Sequence, residues 1–208
     1  MVAAANRLID CGQTERRAVL DKSTLRQEMI RKRQLLSTED RLSLSRRIGD
    51  HLLAHPIVKN VSSLSVFVGM EDEIDSMPWL AQLAQRGMTI ALPRVIRART
   101  PLSMRLWQPG DAFEVSRFGV SEPSLDRPEV RPELVVAPLL AFDLHGWRLG
   151  YGGGFYDRTL EQFRADGQSV HVVGVAFGFQ QVDAVPTGPH DQRLDGMIVE
   201  TGNLALDQ

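Results

Sequence analysis

The sequence predicts a single-domain α/β protein with a mostly parallel central sheet flanked by helices. Short apolar segments typical of strands, at 64–68 and 88–92, lie on either side of a helical segment at 77–86. This order indicates parallel strands joined by a right-handed crossover. Two further strand patterns, at 134–137 and 170–176, lie on either side of a second helical segment. We expect a ligand site at the carboxyl ends of these strands.

Length, composition and charge favour a soluble globular domain. The 208 residues are 43% hydrophobic and 24% charged, with no composition break that marks a second domain. The formal charge of -2 gives no overall positive field, so we expect no nucleic-acid partner. No apolar run is long enough to cross a membrane, and the first residues lack the features of a secretory signal. We therefore expect a cytoplasmic protein that does not act at a membrane.

We expect two regions of unequal order. Residues 1–21 show no sustained periodicity and are interpreted as a loosely ordered extension, whereas residues 22–208 form the α/β domain. The extension contains the single cysteine, Cys11, which excludes an internal disulfide and is typical of a reducing compartment.

The first predicted helix, at 22–36, carries a pair of cations. Its apolar residues include Leu25 and Met29, which lie on one side. Lys22 and Arg26 are four residues apart, so both can converge on a single polyphosphate. Because a run of basic residues follows them, spacing alone favours a solvated basic face over a binding site.

The next segments connect this helix to the sheet. Ser37 is followed by acidic residues, as at a helix start, and we interpret the helix after it as structural packing. The strand at 64–68 leads into an acidic loop that ends at Ser76, which we expect to cap the helix at 77–86. Acidic residues beside a strand end are usually a solvated turn.

Residues 146–158 are the segment around which we expect the site to form. Four glycines occupy five positions from Gly150 to Gly154 and remove the β-carbons that would keep a ligand from the main chain. A predicted helix follows, and its first N–H groups lack partners and attract anions. The segment matches neither the dinucleotide fingerprint nor the Walker motif, and the glycines alone fit a tight connection equally well.

Charged residues beside the glycines favour a phosphate site. Arg148 and Arg158 flank the loop with positive charge, and Asp157 supplies an oxygen ligand of the kind that Mg²⁺ prefers. A phosphate cradle, arginines and a metal-binding carboxylate occur together in phosphoryl transfer. The sequence therefore indicates this class of chemistry.

The string R-L-G-Y-G-G-G-F-Y-D-R, which begins at Arg148 after P-L-L-A-F-D at 138–143, resembles the signature of the 5-formyltetrahydrofolate cyclo-ligase family. Its members are also called methenyltetrahydrofolate synthetases. Shorter similar motifs at 119–123 and 185–191 extend the resemblance over most of the chain. The resemblance implies a three-layer sandwich of the CoA-transferase-like type. It also implies a monomeric enzyme that acts on a reduced folate, with ATP and Mg²⁺.

The resemblance also implies roles for the residues that match the family's motifs. ATP binding is implied for Lys22, Arg26, Arg148, Leu149, Gly150, Tyr151, Gly152, Gly153, Gly154, Phe155 and Tyr156. Substrate binding is implied for Val68, Glu73, Gly152 and Tyr156, and Mg²⁺ binding for Asp157 and Asp191. Some family members have a lysine where this chain has Gly153, so Lys22 and the arginines must carry more of the phosphate charge.

The implied reaction converts 5-formyltetrahydrofolate and ATP into 5,10-methenyltetrahydrofolate, ADP and phosphate. Phosphorylation of the formyl oxygen activates an otherwise poor electrophile, and the N10 amine then closes the ring. Two alternatives stay open: a phosphosugar isomerase on a similar scaffold, and a non-catalytic module that binds nucleotide or folate. Lys22 with Arg26, and the two aspartates, favour the cyclo-ligase over the isomerase, which needs an acid–base residue and no metal.

Overall fold

The computed structural model describes residues 21–117 and 119–207. Most of the expected N-terminal extension, with Cys11, lies outside the described residues. Asp21 is the exception, because its carboxylate caps the first helix by accepting from the main-chain N–H groups of Ser23 at 2.8 Å and Thr24 at 3.2 Å.

The two strand–helix–strand units that the sequence predicts, around the helices Met77–Gln85 and Phe155–Ala165, are both present. The helices are α1 (Lys22–Gln34), α2 (Thr38–Ala54), α3 (Pro56–Lys59), α4 (Met77–Gln85) and α5 (Phe155–Ala165). The strands are β1 (Ser63–Ser65), β2 (Thr89–Arg94), β3 (Ser103–Trp107), β4 (Phe113–Val115), β5 (Ser121–Pro123), β6 (Leu134–Pro138), β7 (Ala141–Phe142), β8 (Arg148–Leu149), β9 (His171–Val175), β10 (Gly196–Val199) and β11 (Gly202–Leu204). None of the helices in the described ranges has the length and apolar composition that a membrane span requires.

Seven strands form the central sheet, in the order β11-β10-β9-β6-β1-β2-β3. The five inner strands are parallel, whereas β3 and β11 pair antiparallel at the two edges. Strands β4 and β5 form one separate antiparallel ribbon, and β7 and β8 form another. The chain passes from β1 to β2 on one side of the sheet and from β6 to β9 on the other. This reversal between neighbouring strands opens a crevice at their carboxyl ends.

Helices cover both faces of the sheet, as the predicted three-layer sandwich requires. Leu134 and Val136 of β6 pack in one apolar cluster with residues of α2 and α4. Val135 and Ala137 pack in a second cluster with Leu160 of α5. Because successive side chains of a strand point to opposite faces, β6 is buried on both sides and its sequence is continuously apolar.

Two local expectations were wrong. Strand β1 ends at Ser65; the N–H of Val66 still donates to the carbonyl of Ala91 at 3.1 Å, but Phe67 and Val68 do not extend the strand. Ser76 occupies the N-cap position of α4, but its hydroxyl donates to the carbonyl of Phe67 and caps no helix N–H. The reason is its helical backbone, with φ -91° and ψ -9°, whereas a capping side chain needs an extended backbone.

The contact between α2 and α4 provides a test of the packing. A β-carbon at Gly49 would lie 2.0 Å from Nε1 of Trp79, whose indole N–H donates to the carbonyl of Ser45 at 3.2 Å. Alanine usually stabilises a helix by about 1 kcal/mol relative to glycine. Here we expect Gly49→Ala to lower the free energy of unfolding by about 1–3 kcal/mol, because the indole must move. Urea unfolding measures the change.

The control for this substitution is Ser43→Ala, at an exposed position of the same helix. It should change the free energy of unfolding by less than about 0.5 kcal/mol. A Gly49→Ala protein that is more stable than the parent would contradict the close contact with Trp79.

Candidate active site

A cavity of about 520 Å³ opens at the carboxyl ends of β1, β2 and β6, beside the point where the strand order reverses. Every residue to which the resemblance gives a role lines it: Lys22, Arg26, Val68, Glu73, Arg148, Leu149, Gly150, Tyr151, Gly152, Gly153, Gly154, Phe155, Tyr156, Asp157 and Asp191. Arg158, the other cation beside the glycines, does not line the cavity and donates to the carbonyl of Gly153. The fold thus brings residues from four separate parts of the chain to one place.

The glycine segment forms one wall of this cavity. Gly154 is the N-cap of α5 and has φ +62°, and Gly152 has φ +97°; glycine adopts both values without strain. A β-carbon at Gly152 would lie 3.3 Å from Cζ of Arg26, so a side chain there would press on the guanidinium. No side chain caps α5, which leaves its first N–H groups available to an anion.

A short ribbon separates the glycine segment from the central sheet. The segment follows β8, and the β7–β8 ribbon lies between it and the central strand β6 along the chain. The ribbon places the glycine segment next to α1, because Leu25 and Met29 of α1 share an apolar cluster with Ala141 and Leu149 of the ribbon.

Lys22 and Arg26 both reach the cavity from the first turns of α1. The ammonium of Lys22 lies 2.6 Å from Oδ2 of Asp191. Arg26 donates through Nε to the carbonyl of Gly150 at 2.8 Å, which holds its guanidinium against the glycine segment. The two terminal nitrogens of Arg26 have no hydrogen-bond acceptor within the described residues. They are therefore available to a ligand in the cavity.

Arg148 lines the cavity from β8 with a side chain that is almost fully buried. It donates to Oδ1 of Asp157 at 2.8 Å and to the carbonyl of Gln192. Burial lowers the pKa of Arg148, and the charge of Asp157 opposes that effect. The contact with Asp157 fixes the first turn of α5 to β8.

The carboxylates of Asp157 and Asp191 offer oxygen ligands for a metal. Oδ1 of Asp157 accepts hydrogen bonds from Arg148 and from the main-chain N–H of Gln192. Oδ2 of Asp191 accepts from Lys22 and from the N–H of Gly188, each at 2.6 Å. Among the described residues nothing donates to the other oxygen of either carboxylate. Mg²⁺ usually takes one or two carboxylates, waters and substrate phosphates, so this donor set fits Mg²⁺ bound together with a nucleotide. In the described ranges no group of three or more His, Cys, Asp or Glu could hold a metal by itself.

Glu73 lines the cavity, but both of its oxygens are already engaged. Oε1 accepts from the hydroxyl of Tyr151 at 2.8 Å and lies 3.5 Å from Nη1 of Arg33, while Oε2 accepts from the N–H of Met70 at 2.9 Å. Arg33 also donates to the hydroxyl of Tyr151 and to Asp72 at 2.7 Å. Burial, with the nearby charge of Glu73, raises the pKa of the Tyr151 hydroxyl, which therefore stays protonated.

The sequence interpretation missed Arg33, which does not line the cavity but contacts the lining residues Glu73 and Tyr151. The basic run predicted a solvated face, yet the side chain of Arg33 is only 3% exposed. Its spacing is the signal that could have found it, because it lies four residues after Met29, which lies four after Leu25, and all three are buried. A charged residue in the apolar stripe of a helix indicates a buried ion pair.

The lining suggests how the cavity can act. Its cations come from α1 and β8, and its carboxylates from α5, from β5 and from the loops that carry Glu73 and Asp191. The ends of β1, β2 and β6 contribute apolar residues such as Phe67, Pro93 and Pro138. The described residues that line it include no cysteine or histidine. The arrangement therefore suits charge stabilisation and alignment of two bound molecules more than covalent catalysis.

Known proteins share both the sequence pattern and the fold. The model of the 5-formyltetrahydrofolate cyclo-ligase family matches residues 18–200. The 5-formyltetrahydrofolate cyclo-ligase of Escherichia coli is 30% identical over 177 residues, which cover 82% of this chain and 96% of that protein. The NMR structure of Aquifex aeolicus 5,10-methenyltetrahydrofolate synthetase has a TM-score of 0.77 at 29% identity, covering 90% of this chain and 93% of the other. The chain therefore belongs to the 5-formyltetrahydrofolate cyclo-ligase family.

Proposed function

We propose that this cavity catalyses the ATP- and Mg²⁺-dependent conversion of 5-formyltetrahydrofolate to 5,10-methenyltetrahydrofolate, with release of ADP and phosphate. The observation that carries the proposal is that an uncapped glycine segment, cations and two carboxylates share one cavity with apolar strand ends. The glycine segment, the cations and the carboxylates suit phosphoryl transfer, and the apolar strand ends suit a flat folate ring. Family membership favours this function over a phosphosugar isomerase.

The nucleotide phosphates occupy the charged part of the cavity. The main-chain N–H groups of residues 150–154 and the terminal nitrogens of Arg26 face them, and Lys22 adds a mobile positive charge. Arg148 is more deeply buried and contributes through its charge and its contact with Asp157. Asp157 and Asp191 hold Mg²⁺, which neutralises phosphate charge when it is bound.

The folate occupies the apolar part, with its formyl oxygen towards the terminal phosphate. Val68 and Tyr156 contact the ring system, and Gly152 allows close approach of the main chain. Burial raises the pKa of the Tyr156 hydroxyl, so it stays a neutral donor at physiological pH. Glu73 acts by holding the hydroxyl of Tyr151 in place at the edge of the site.

The chemistry proceeds in two displacements. The formyl oxygen attacks the γ-phosphorus, the bond to the β-phosphate oxygen breaks, and ADP leaves. The N10 amine then adds to the activated formyl carbon, loses its proton, and phosphate departs as the ring closes. Lys22, Arg26 and the loop amides stabilise the charge on the transferred group, and the cavity walls keep N10 close to the carbon.

The direct test is an assay of the purified chain with 5-formyltetrahydrofolate, ATP and Mg²⁺. We expect formation of the ultraviolet-absorbing methenyl product in step with ADP, and no product when ATP is left out. A folded protein that binds both substrates and forms no product would establish the non-catalytic alternative instead.

Replacement of Lys22 tests whether the charged part of the cavity binds the nucleotide. We expect Lys22→Ala to raise the KM for ATP by about tenfold or more with little effect on the KM for folate, because a charged hydrogen bond to phosphate is lost. Steady-state kinetics measure both constants. Lys32→Ala is the matched control, since Lys32 lies on the same helix in an exposed pair with Glu28. Equal ATP constants for the parent and Lys22→Ala would remove Lys22 from the site.

Replacement of Asp157 tests the metal assignment. Asp157→Asn keeps an oxygen that can accept from Arg148 but loses the charge, so we expect turnover to fall by at least about tenfold. The Mg²⁺ concentration for half-maximal rate should rise. Asp166→Asn, in an exposed ion pair with Arg131 at the end of α5, is the control. An unchanged Mg²⁺ titration for Asp157→Asn would contradict the assignment.

A further inference from the structure

The apolar part of the cavity contains one carboxylate that the proposed mechanism does not use. Glu122 lies in β5, lines the cavity and is only 4% exposed. The same cavity is also lined by apolar residues, among them Val95, Leu102 and Val120. A buried acid among apolar walls is costly unless hydrogen-bond donors satisfy it.

The protein satisfies Glu122 only in part. Oε1 accepts from the main-chain N–H of Val95 at 3.2 Å, and no donor within the described residues reaches Oε2. The nearby guanidinium of Arg94 is directed elsewhere, to Oε2 of Glu114 at 2.7 Å and to the carbonyl of Pro123 at 2.5 Å. Burial raises the pKa of the Glu122 carboxyl, although the Val95 N–H and the charge of Arg94 oppose it. The cavity side of this carboxylate therefore lacks a partner.

Glu73, the other buried glutamate of the lining, differs in this respect. Its two oxygens accept from Tyr151 and Met70, and Arg33 lies beside it. A ligand would have to displace these groups to reach it. Glu122 can accept new donors without breaking any contact to a side chain.

The substrate of the proposed function presents a matching set of donors. A reduced pterin is a flat bicyclic ring that carries a 2-amino group beside the N3–H on one edge. Two adjacent N–H donors suit a carboxylate, which has about four acceptor positions on two oxygens. The ring faces suit the apolar walls on either side.

We propose that Glu122 is the residue that recognises the pterin ring, by accepting hydrogen bonds from its 2-amino and N3–H groups. This inference rests on the proposed function, because it takes the folate to be the ligand of the apolar part. It assigns substrate specificity to β5, whose sequence motif otherwise serves only as a wall of the site.

The test compares two ligands, 5-formyltetrahydrofolate and the analogue whose 2-amino group is replaced by hydrogen. Direct binding is measured by calorimetry without ATP, so the result does not depend on turnover. We expect the parent chain to bind the analogue about tenfold more weakly or worse, since a hydrogen bond to a charged group is lost. Equal affinity for both ligands would overturn the proposal.

Glu122→Gln then locates the effect. Glutamine keeps an oxygen for the Val95 N–H but presents an amino group to the ligand, so we expect about tenfold weaker binding of the natural folate. Binding of the analogue should change much less, and the affinity for ATP should stay the same. Equal weakening for both folates would mean a structural role only and would overturn the assignment.

Glu114→Gln is the matched control. Glu114 lies directly opposite Glu122 in the β4–β5 ribbon, but its side chain is 50% exposed and does not line the cavity. The Glu114→Gln protein should bind both folates with the affinity of the parent chain. Should Glu122→Gln not fold, equal affinity of the parent chain for the two ligands would still overturn the proposal. Failure of methenyl formation with intact folate discrimination would overturn the proposed function and leave the role of Glu122 standing.

Discussion

The docking of α1 against the glycine segment and its supporting ribbon is the interaction on which the rest of the site depends. Leu25 and Met29 are buried in the contact, each contributing about 1.5–3 kcal/mol. The partly exposed ion pair of Lys22 contributes about 0–1 kcal/mol, so apolar burial and not charge holds the helix in place. The same helix then delivers Lys22 and Arg26 to the cavity and places Arg33 against the lining residue Glu73.

Three cations at or beside the cavity are paired with carboxylates before any ligand binds. Lys22 pairs with Asp191, Arg148 with Asp157, and Arg33 with Glu73. In the proposed reaction, a nucleotide with its Mg²⁺ supplies new partners for both members of the first pair. There Lys22 would pair with phosphate and Asp191 would bind Mg²⁺, with little loss because the Lys22–Asp191 pair is partly exposed. The buried Arg148 and Arg33 pairs persist and keep the walls rigid.

The sequence predicted the features that follow from hydrophobic periodicity and from the glycines. It missed features that depend on contacts between residues far apart in the chain. The parallel sheet follows from the order of strands and helices, and the glycine wall follows from the missing β-carbons. The spacing of Arg33 from Leu25 and Met29 places it on the buried side of α1, but its partners Glu73 and Tyr151 lie far away in the chain, and the local sequence does not identify them. The edge strand β11, only three residues long, was missed for the same reason, since pairing with β10 alone defines it.

The most direct measurement is a crystal structure of the chain with Mg²⁺ and a non-hydrolysable ATP analogue. The account predicts phosphate oxygens within hydrogen-bond distance of the main-chain N–H groups of residues 150–154 and of Lys22, with the metal on Asp157. A nucleotide bound elsewhere, or a glycine segment closed over by the protein's own side chains, would contradict the account.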